Sequence, residues 1–178
     1  MEETKLIQQC KKENTLAQRM LYEQYVQRIF LVILRYVSQK EIAEELTADA
    51  FVKAFDKMKS FEYYGAGSFY AWLKKIALRT CLSYLRTQKL SISSIDENEQ
   101  ILQQDTTENP ALPKMQHDEV MKLIMQLPCG YRTVFNMYAI EGYSHKEISE
   151  VLQISEQTSR SQFYKARMAL QKRLKEQL

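Results

Sequence analysis

The chain has 178 residues, 45% of them hydrophobic and 26% charged, with a formal net charge of +3, which is ordinary soluble composition and enough for one medium core or two small ones. Four glycines and three prolines in that length fall well below ordinary usage of roughly 7% and 5%; this excludes turn-rich all-β domains and glycine-rich phosphate-loop enzymes and favours helix. No run approaches ~18 apolar residues, the mixed polar residues 1–15 do not read as a signal peptide, and Cys10, Cys81 and Cys129, far apart and without a C-x-x-C, offer neither a disulfide framework nor a zinc site, so a reduced cytoplasmic chain is expected.

The first predicted helix spans 15–37, with Asn14 as its N-cap. Leu16, Met20, Tyr22, Val26, Ile29, Phe30, Ile33, Leu34 and Val37 recur at helical spacing and are its expected inner side. Ser38 followed by Glu41 reads as a capping box that opens a second helix. There Ile42, Leu46, Ala50, Ala54 and Met58 form the apolar stripe, thickened by Phe51 and Phe55, while Glu41, Glu45, Ala48, Asp49 and Lys53 face the other way. Residues 61–67, FEYYGAG, read as a loop with three aromatic rings and two glycines. Ser68 is the expected cap of a third helix reaching about Lys89, with Trp72, Ile76, Leu82 and Leu85 inward. Lys74, Lys75, Arg79, Arg86 and Lys89 make that helix basic.

Residues 91–113 change character. They are rich in Ser, Thr, Asn, Gln and acids, and residues 91–117 carry one lysine against five acids. Such a stretch cannot bury enough apolar surface to fold alone, so a flexible acidic linker is expected, with at most a helical turn near Ile101–Leu102. Beyond it the pattern gives a helix over 115–127 stopped by Pro128, and another from Tyr131 to Ile140 ending near Gly142. Ser144 with Glu147 is a second capping box, for a helix to Leu152. After a turn, Gln153-Ile154-Ser155, Ser155 caps a last helix from Glu156 to about Lys175.

The last two helices fit the helix-turn-helix plan. Ile148, Val151 and Leu152 point inward, Ile154 plugs the turn, and Phe163, Ala166, Leu170 and Leu174 continue the stripe; Ser159 interrupts it where an apolar residue is usual. Gln157, Thr158, Arg160, Ser161, Tyr164 and Lys165 are left outward on the N-terminal half of the second helix, where major-groove readers keep their base contacts. Residues 157–175 hold six basic residues and no acid. Clustered charge of this kind, not the small net charge, is what neutralises phosphates.

Three stretches are similar to sigma factors of the extracytoplasmic function (ECF) type: EIAEELTADAFVKAF at 41–55 to region 2.2, FEYYGAGSFYAWLKKIALRTCLSYLR at 61–86 to regions 2.3 and 2.4, and LPCGYRTVFNMYAIEGYSHKEISEVLQISEQTSRSQFYKARMAL at 127–170 to region 4.2. The resemblance implies an all-α chain of two small helical domains: 1–90, a region 2-like bundle that binds polymerase core and reads and melts the −10 element, and 114–178, a region 4-like helix-turn-helix that reads the −35 element, with the linker 91–113 between them. It implies RNA polymerase core and promoter DNA as partners, an anti-sigma factor as a further one, and no cofactor. Glu45 and Asp49 fall on the motif that docks on a coiled coil of the polymerase β′ subunit, with Glu41 on the same acidic face and Ala48 where the family often has Gln. Arg79 and Ser83 stand where Asn and Asp are frequent. The linker, by the same resemblance, threads a channel that otherwise takes RNA.

The residues agree with that assignment. Strand opening takes a base out of the stack, and a loop bearing Phe61, Tyr63 and Tyr64, with flexibility at Gly65 and Gly67, offers stacking rings, with Phe61 expected to cap the core as well. Lys74, Lys75, Arg79 and Arg86 are placed to track a strand's phosphates. Trp72 belongs to the apolar side. No catalytic motif occurs; His117 and His145 lack metal-spaced partners and read as surface residues. The alternatives are a stand-alone helix-turn-helix regulator and a helical protein–protein adaptor with no DNA role. Such a regulator has no need of an acidic docking helix or an aromatic loop at 41–86.

Overall fold

The computed structural model describes residues 3–87 and 117–176, and the chain divides into two compact units, Met1–Thr87 and Gln88–Leu178. Every regular element among the described residues is helical, so the architecture is all-α. The expected linker over 91–113, its turn at Ile101–Leu102, and Lys89 lie outside the described residues.

The first unit holds α1 (Glu3–Lys11), α2 (Thr15–Val37), α3 (Lys40–Asp56), a 3-10 turn (Met58–Ser60) and α4 (Ser68–Thr87). Helices α2, α3 and α4 each pack on the other two, and α1 covers α2 and the 3-10 turn. The sequence reading had no helix at 3–11. Its nine residues bury only Leu6, Ile7 and Cys10, too few to give a periodic signal in an otherwise polar run. Burial pushes the Cys10 thiol up to about 11.

Asn14 caps α2 as expected, its Oδ1 accepting the Ala17 N–H at 3.0 Å. The buried line of α2 runs through Ala17, Leu21, Tyr25, Ile29, Ile33 and Tyr36. Leu16, expected inside, is 65% exposed, and Tyr22 is exposed with its ring edge on Phe51, 4.8 Å between centroids. Both sit one residue, about 100° of helix, off that line. The helix is apolar on more than one side, so spacing alone does not choose the contact stripe.

Ser38 does not open α3. It adopts a left-handed φ of 63° and donates its N–H to Leu34 O at 2.8 Å, closing α2. A residue in that conformation cannot be the extended N-cap of the next helix, and the cap falls to Gln39, whose side chain makes no capping bond. Within α3 the buried residues are Ala43, Leu46, Thr47, Ala50, Phe51 and Ala54; Ile42 and Phe55 are half-buried. Ser68 also differs from expectation. It is the first residue of α4, and its hydroxyl serves the preceding loop.

The second unit holds α5 (His117–Met125), α6 (Cys129–Phe135), a wide π turn (Asn136–Ile140), α7 (His145–Leu152) and α8 (Glu156–Glu176). Helix α6 starts two residues earlier than expected, directly after Pro128, whose φ of −51° leads into helix and whose missing N–H is not needed there. Helix α8 is the spine on which α5, α6 and α7 pack. Leu123, Ile124 and Leu127 meet Ala166 and Leu170, with Tyr131, Phe135 and Leu174 around them. Arg132 is buried between elements and donates Nη1 to Met125 O at 3.0 Å and Leu127 O at 2.8 Å. It thereby satisfies carbonyls that the end of α5 leaves without intrahelical partners.

Candidate nucleic-acid interface and docking face

Three outward surfaces carry the residues singled out by sequence. The first is on α3. At 100° per residue, Glu41, Glu45, Ala48 and Asp49 fall within one quarter or so of the helix circumference, opposite Ala43, Ala50 and Ala54. Glu41, Glu45 and Ala48 are exposed and Asp49 is half-buried. Lys53 donates Nζ to Asp49 Oδ2 at 2.6 Å and to Thr80 Oγ1 of α4 at 3.4 Å. The middle of this face is Val52, 58% exposed, a residue the sequence reading passed over. Its signal was available: an apolar residue four positions after Ala48 and seven after Glu45, on the side away from the core stripe.

The second surface is the 61–67 loop with α4. The structure separates its three rings. Phe61 is 3% exposed and packs on Phe69 and Trp72 with centroids 5.6 and 4.8 Å away. Its ring is turned into the core, where it anchors the loop. Tyr63 is half-buried, while Tyr64 is 82% exposed. Gly65 and Gly67 take φ of +117° and +84°, which a side chain would strain. Ser68 Oγ donates to Gly65 O at 2.7 Å and accepts the Tyr64 N–H at 3.3 Å, so the turn is tied on both sides. The Tyr64 hydroxyl donates to the Glu62 carboxylate, and that bond, followed by the carboxylate's charge, raises the phenol. On α4, Lys75, Arg79 and Arg86 are exposed and lie along one line, whereas Lys74 is half-buried and about 100° away, on the side of Tyr70. The four cations are thus two groups, not one stripe. Trp72 is half-buried against Phe61 and Phe69.

The third surface is the helix-turn-helix. The capping box at Ser144 is complete: Glu147 N–H donates to Ser144 Oγ at 3.2 Å and Ser144 N–H to Glu147 Oε2 at 2.8 Å. These donors, the backbone N–H first and the hydroxyl second, hold the Glu147 carboxyl below its usual range. Gln153, in the left-handed region at φ 57°, makes the turn, and Ser155 Oγ accepts the Thr158 N–H at 2.9 Å to start α8. Gln157, Arg160 and Tyr164 are exposed, and Ser161 and Lys165 are half-buried beside them. Thr158 is half-buried, with its Oγ1 2.7 Å from Ser155 Oγ, a member of the cap. Arg160 Nη2 donates to Glu156 Oε1 at 2.6 Å across an exposed turn. Met168, 49% exposed, extends the Tyr164 side of the face and was not foreseen.

His145 corrects an expectation. It is 8% exposed, not a surface residue; Nδ1 lies 2.9 Å from Ser159 Oγ, and its ring stacks on Tyr138 at 4.3 Å. Ser159, fully buried, is the polar interruption noted in the stripe, and His145 is its reason. Burial chiefly, then the nearby Arg160 charge, lowers the His145 pKa below 6.5, with Glu156 opposing. Protonation is thus favoured more in the unfolded chain than in the folded unit. Stability of the second unit is expected to be full above pH 6.5, to decline as pH falls through 6.5, and to level off once folded His145 is itself protonated. Urea denaturation followed by NMR signals of α7 and α8 at pH 7.5 and pH 5.5 checks this; a midpoint unmoved relative to a His145→Asn variant contradicts it.

Among the described residues no group of three or more His, Cys, Asp or Glu side chains is arranged to hold a metal ion. No helix among them is long and apolar enough to cross a membrane.

Residues 21–90 match the family described as Sigma-70 region 2, and residues 117–170 the family described as Sigma-70, region 4. Together the matches span more than two thirds of the chain, in the order of the two units. Among similar proteins, the ECF RNA polymerase sigma-E factor of Haemophilus influenzae is 26% identical over 95% of this chain and 93% of its own length. The RNA polymerase sigma-H factor of Pseudomonas aeruginosa is 27% identical over 97% and 94%. A solved structure, the Bartonella quintana sigma factor RpoE in complex with the anti-sigma factor NepR, is alike in fold, with TM-score 0.51 and 20% identity over 88% of this chain and 96% of that one. With both family regions matched in order and full-length relatives of one kind, the chain belongs to the sigma-70 family and is an RNA polymerase sigma factor of the extracytoplasmic function type.

Proposed function

We propose that the chain directs promoter-specific initiation by holding core RNA polymerase with one unit and promoter DNA with both. The α3 face, with Glu41, Glu45 and Asp49 around Val52, docks on the β′ coiled coil. Carboxylates there gain charge-assisted bonds to arginine or lysine across the interface, and Val52 supplies an apolar centre. Tyr63 and Tyr64 stack bases of the −10 element as the duplex opens, while Lys74, Lys75, Arg79 and Arg86 contact phosphates. Residues 1–90 are then the −10 and polymerase-binding domain, 114–178 the −35 domain, and 91–113 their tether. Helix α8 enters the major groove of the −35 element with Gln157, Arg160, Ser161, Tyr164 and Lys165, and Thr158 keeps its cap in place. The chain contributes position and leaves catalysis to the polymerase, in the cytoplasm where that enzyme works. An anti-sigma factor, such as the one bound by the Bartonella relative, is the expected negative regulator.

The observation that carries this reading is the sorting of outward residues by chemistry: acidic on α3, aromatic and basic at the loop and α4, basic and polar on the capped end of α8. Run-off transcription by purified core polymerase over a promoter library tests it, with and without the protein. Start sites that appear only with the protein are expected. Arg160→Ala is expected to weaken binding by about 1–3 kcal/mol at promoters carrying its guanine and to relax preference at that one position. An unchanged preference removes Arg160 as a base reader; an unchanged set of start sites removes the function.

A further inference from the structure

One cluster outside these surfaces joins an aromatic plane to an exposed cation. The guanidinium of Arg28, on α2, lies over the ring of Tyr70 of α4, 3.8 Å from its centroid, and 5.9 Å from that of Tyr25. Tyr70 is half-buried and lies nearly parallel to Tyr25, centroids 6.2 Å apart at 20°. Tyr25 is held from beneath: it is buried, packs on Phe69 at 5.3 Å, and donates its hydroxyl to Glu3 of α1. Three helices therefore fix one platform. Tyr70 is the third residue of α4, directly after the 61–67 loop, so the platform sits at the loop end of that helix. Lys74 stands one turn beyond Tyr70 on the same side of α4, away from the line of Lys75, Arg79 and Arg86.

Arg28 differs from Arg19 and Arg160 in what holds it. Arg19, on the same helix, is engaged with Glu23 at 2.8 Å, and Arg160 with Glu156 at 2.6 Å. Arg28 is exposed and is oriented by a ring. A guanidinium held over an aromatic face by cation–π attraction keeps N–H donors available for hydrogen bonds, and its fork matches a phosphate. Because its rotamer is already set, it loses less entropy on binding than a free side chain. Its outer face is open to a base as well.

We propose that Arg28 and Tyr70 form a subsite for single-stranded DNA, in which Arg28 grips a backbone phosphate of the strand that leaves the Tyr63–Tyr64 loop and Tyr70 holds Arg28 for that contact. The subsite rests on the reading that this unit captures an opened strand. Its position gives that strand a direction, from the loop across Tyr70 toward α2 and Lys74, distinct from the Lys75–Arg79–Arg86 line.

The test uses holoenzyme reconstituted with the full chain and a fluorescent single-stranded oligonucleotide of the non-template strand from a promoter active in run-off assays. Arg28→Ala is expected to weaken binding roughly threefold to tenfold and to reduce the slope of log affinity against log salt by about 0.7, the loss of one single-strand phosphate contact. Arg28→Lys keeps that slope with reduced affinity. Tyr70→Leu weakens binding as Arg28→Ala does, and the double variant adds little more, because ring and cation act as one unit. Binding to core polymerase and the melting curve of Arg28→Ala stay at wild-type values. Wild-type oligonucleotide affinity and slope in Arg28→Ala, while Tyr64→Ala is impaired, overturns the subsite and leaves strand capture by the loop standing. Wild-type values in both overturn the subsite together with the reading it rests on. A loss confined to core affinity overturns it in favour of a protein contact.

Discussion

Reversing charge at Glu45 and Asp49 together, as Glu45→Lys with Asp49→Lys, is expected to lower affinity for core polymerase by about a hundredfold or more. Removing one partner of a desolvated interfacial ion pair costs roughly 2–5 kcal/mol, and reversal adds like-charge contact to that loss. Glu45 shares its face with Val52, 58% exposed, the apolar residue that the proposed docking would remove from water. Asp49 is already engaged with Lys53 at 2.6 Å. Its substitution by lysine leaves Lys53 without that carboxylate and puts two cations one turn apart on the surface proposed to meet a basic partner. Folding is expected to change little, since exposed i,i+4 pairs contribute only about 0.3–0.5 kcal/mol. Fluorescence anisotropy of labelled protein titrated with core measures the effect, and Glu44→Lys is the control. Glu44 is exposed on α3 and pairs with Lys40 at 3.7 Å, off the Val52-centred face. Undiminished affinity in the double variant removes α3 as the docking helix.

Why that face was legible, and other features were not, follows from what each residue's neighbours in sequence reveal. Caps and punctuation are local. Asn14, the Ser144–Glu147 box and Ser155 each announce a helix start within three residues, and all three cap as expected. The acidic side of α3 is likewise a property of one helix. Ser38 failed because its sequence fits two roles, closing one helix or opening the next, and the choice is made by where α2 must end. Leu16 and Tyr22 failed because α2 offers more apolar residues than its contacts take. His145 failed for a longer-range reason. Its partner Ser159 is fourteen residues away on the next helix, and neither residue alone signals the pair. The Arg28–Tyr70 contact joins α2 to α4, and no spacing rule on either helix points to it.

The loop rings give the other large effect, because neighbouring aromatic residues differ sharply in burial. Phe61→Ala is expected to destabilise the first unit by about 3–5 kcal/mol, the range for truncating a buried aromatic ring. Its ring is 3% exposed, lies edge-on to Phe69 at 81°, and sits 4.8 Å from Trp72. Two of its neighbours, Phe69 and Trp72, belong to the first turns of α4, so the start of that helix is expected to loosen with it. Tyr64→Ala, in contrast, is expected to leave the melting curve in place, because the ring is 82% exposed and its hydroxyl bond to Glu62 is a surface contact. Its loss is read in promoter opening, where removing one stacking ring lowers the yield of open complex roughly tenfold. Urea denaturation followed by the fluorescence of Trp72, the chain's single tryptophan, reports the first variant, since that ring touches Phe61 directly. Permanganate reactivity of unpaired thymines in the holoenzyme complex reports the second. Were Phe61→Ala to melt like the wild type while abolishing strand opening, the two rings would have to exchange roles. Phe61 would then be displayed to DNA in the polymerase-bound state, and the packing of Phe61, Phe69 and Trp72 would describe only the free protein.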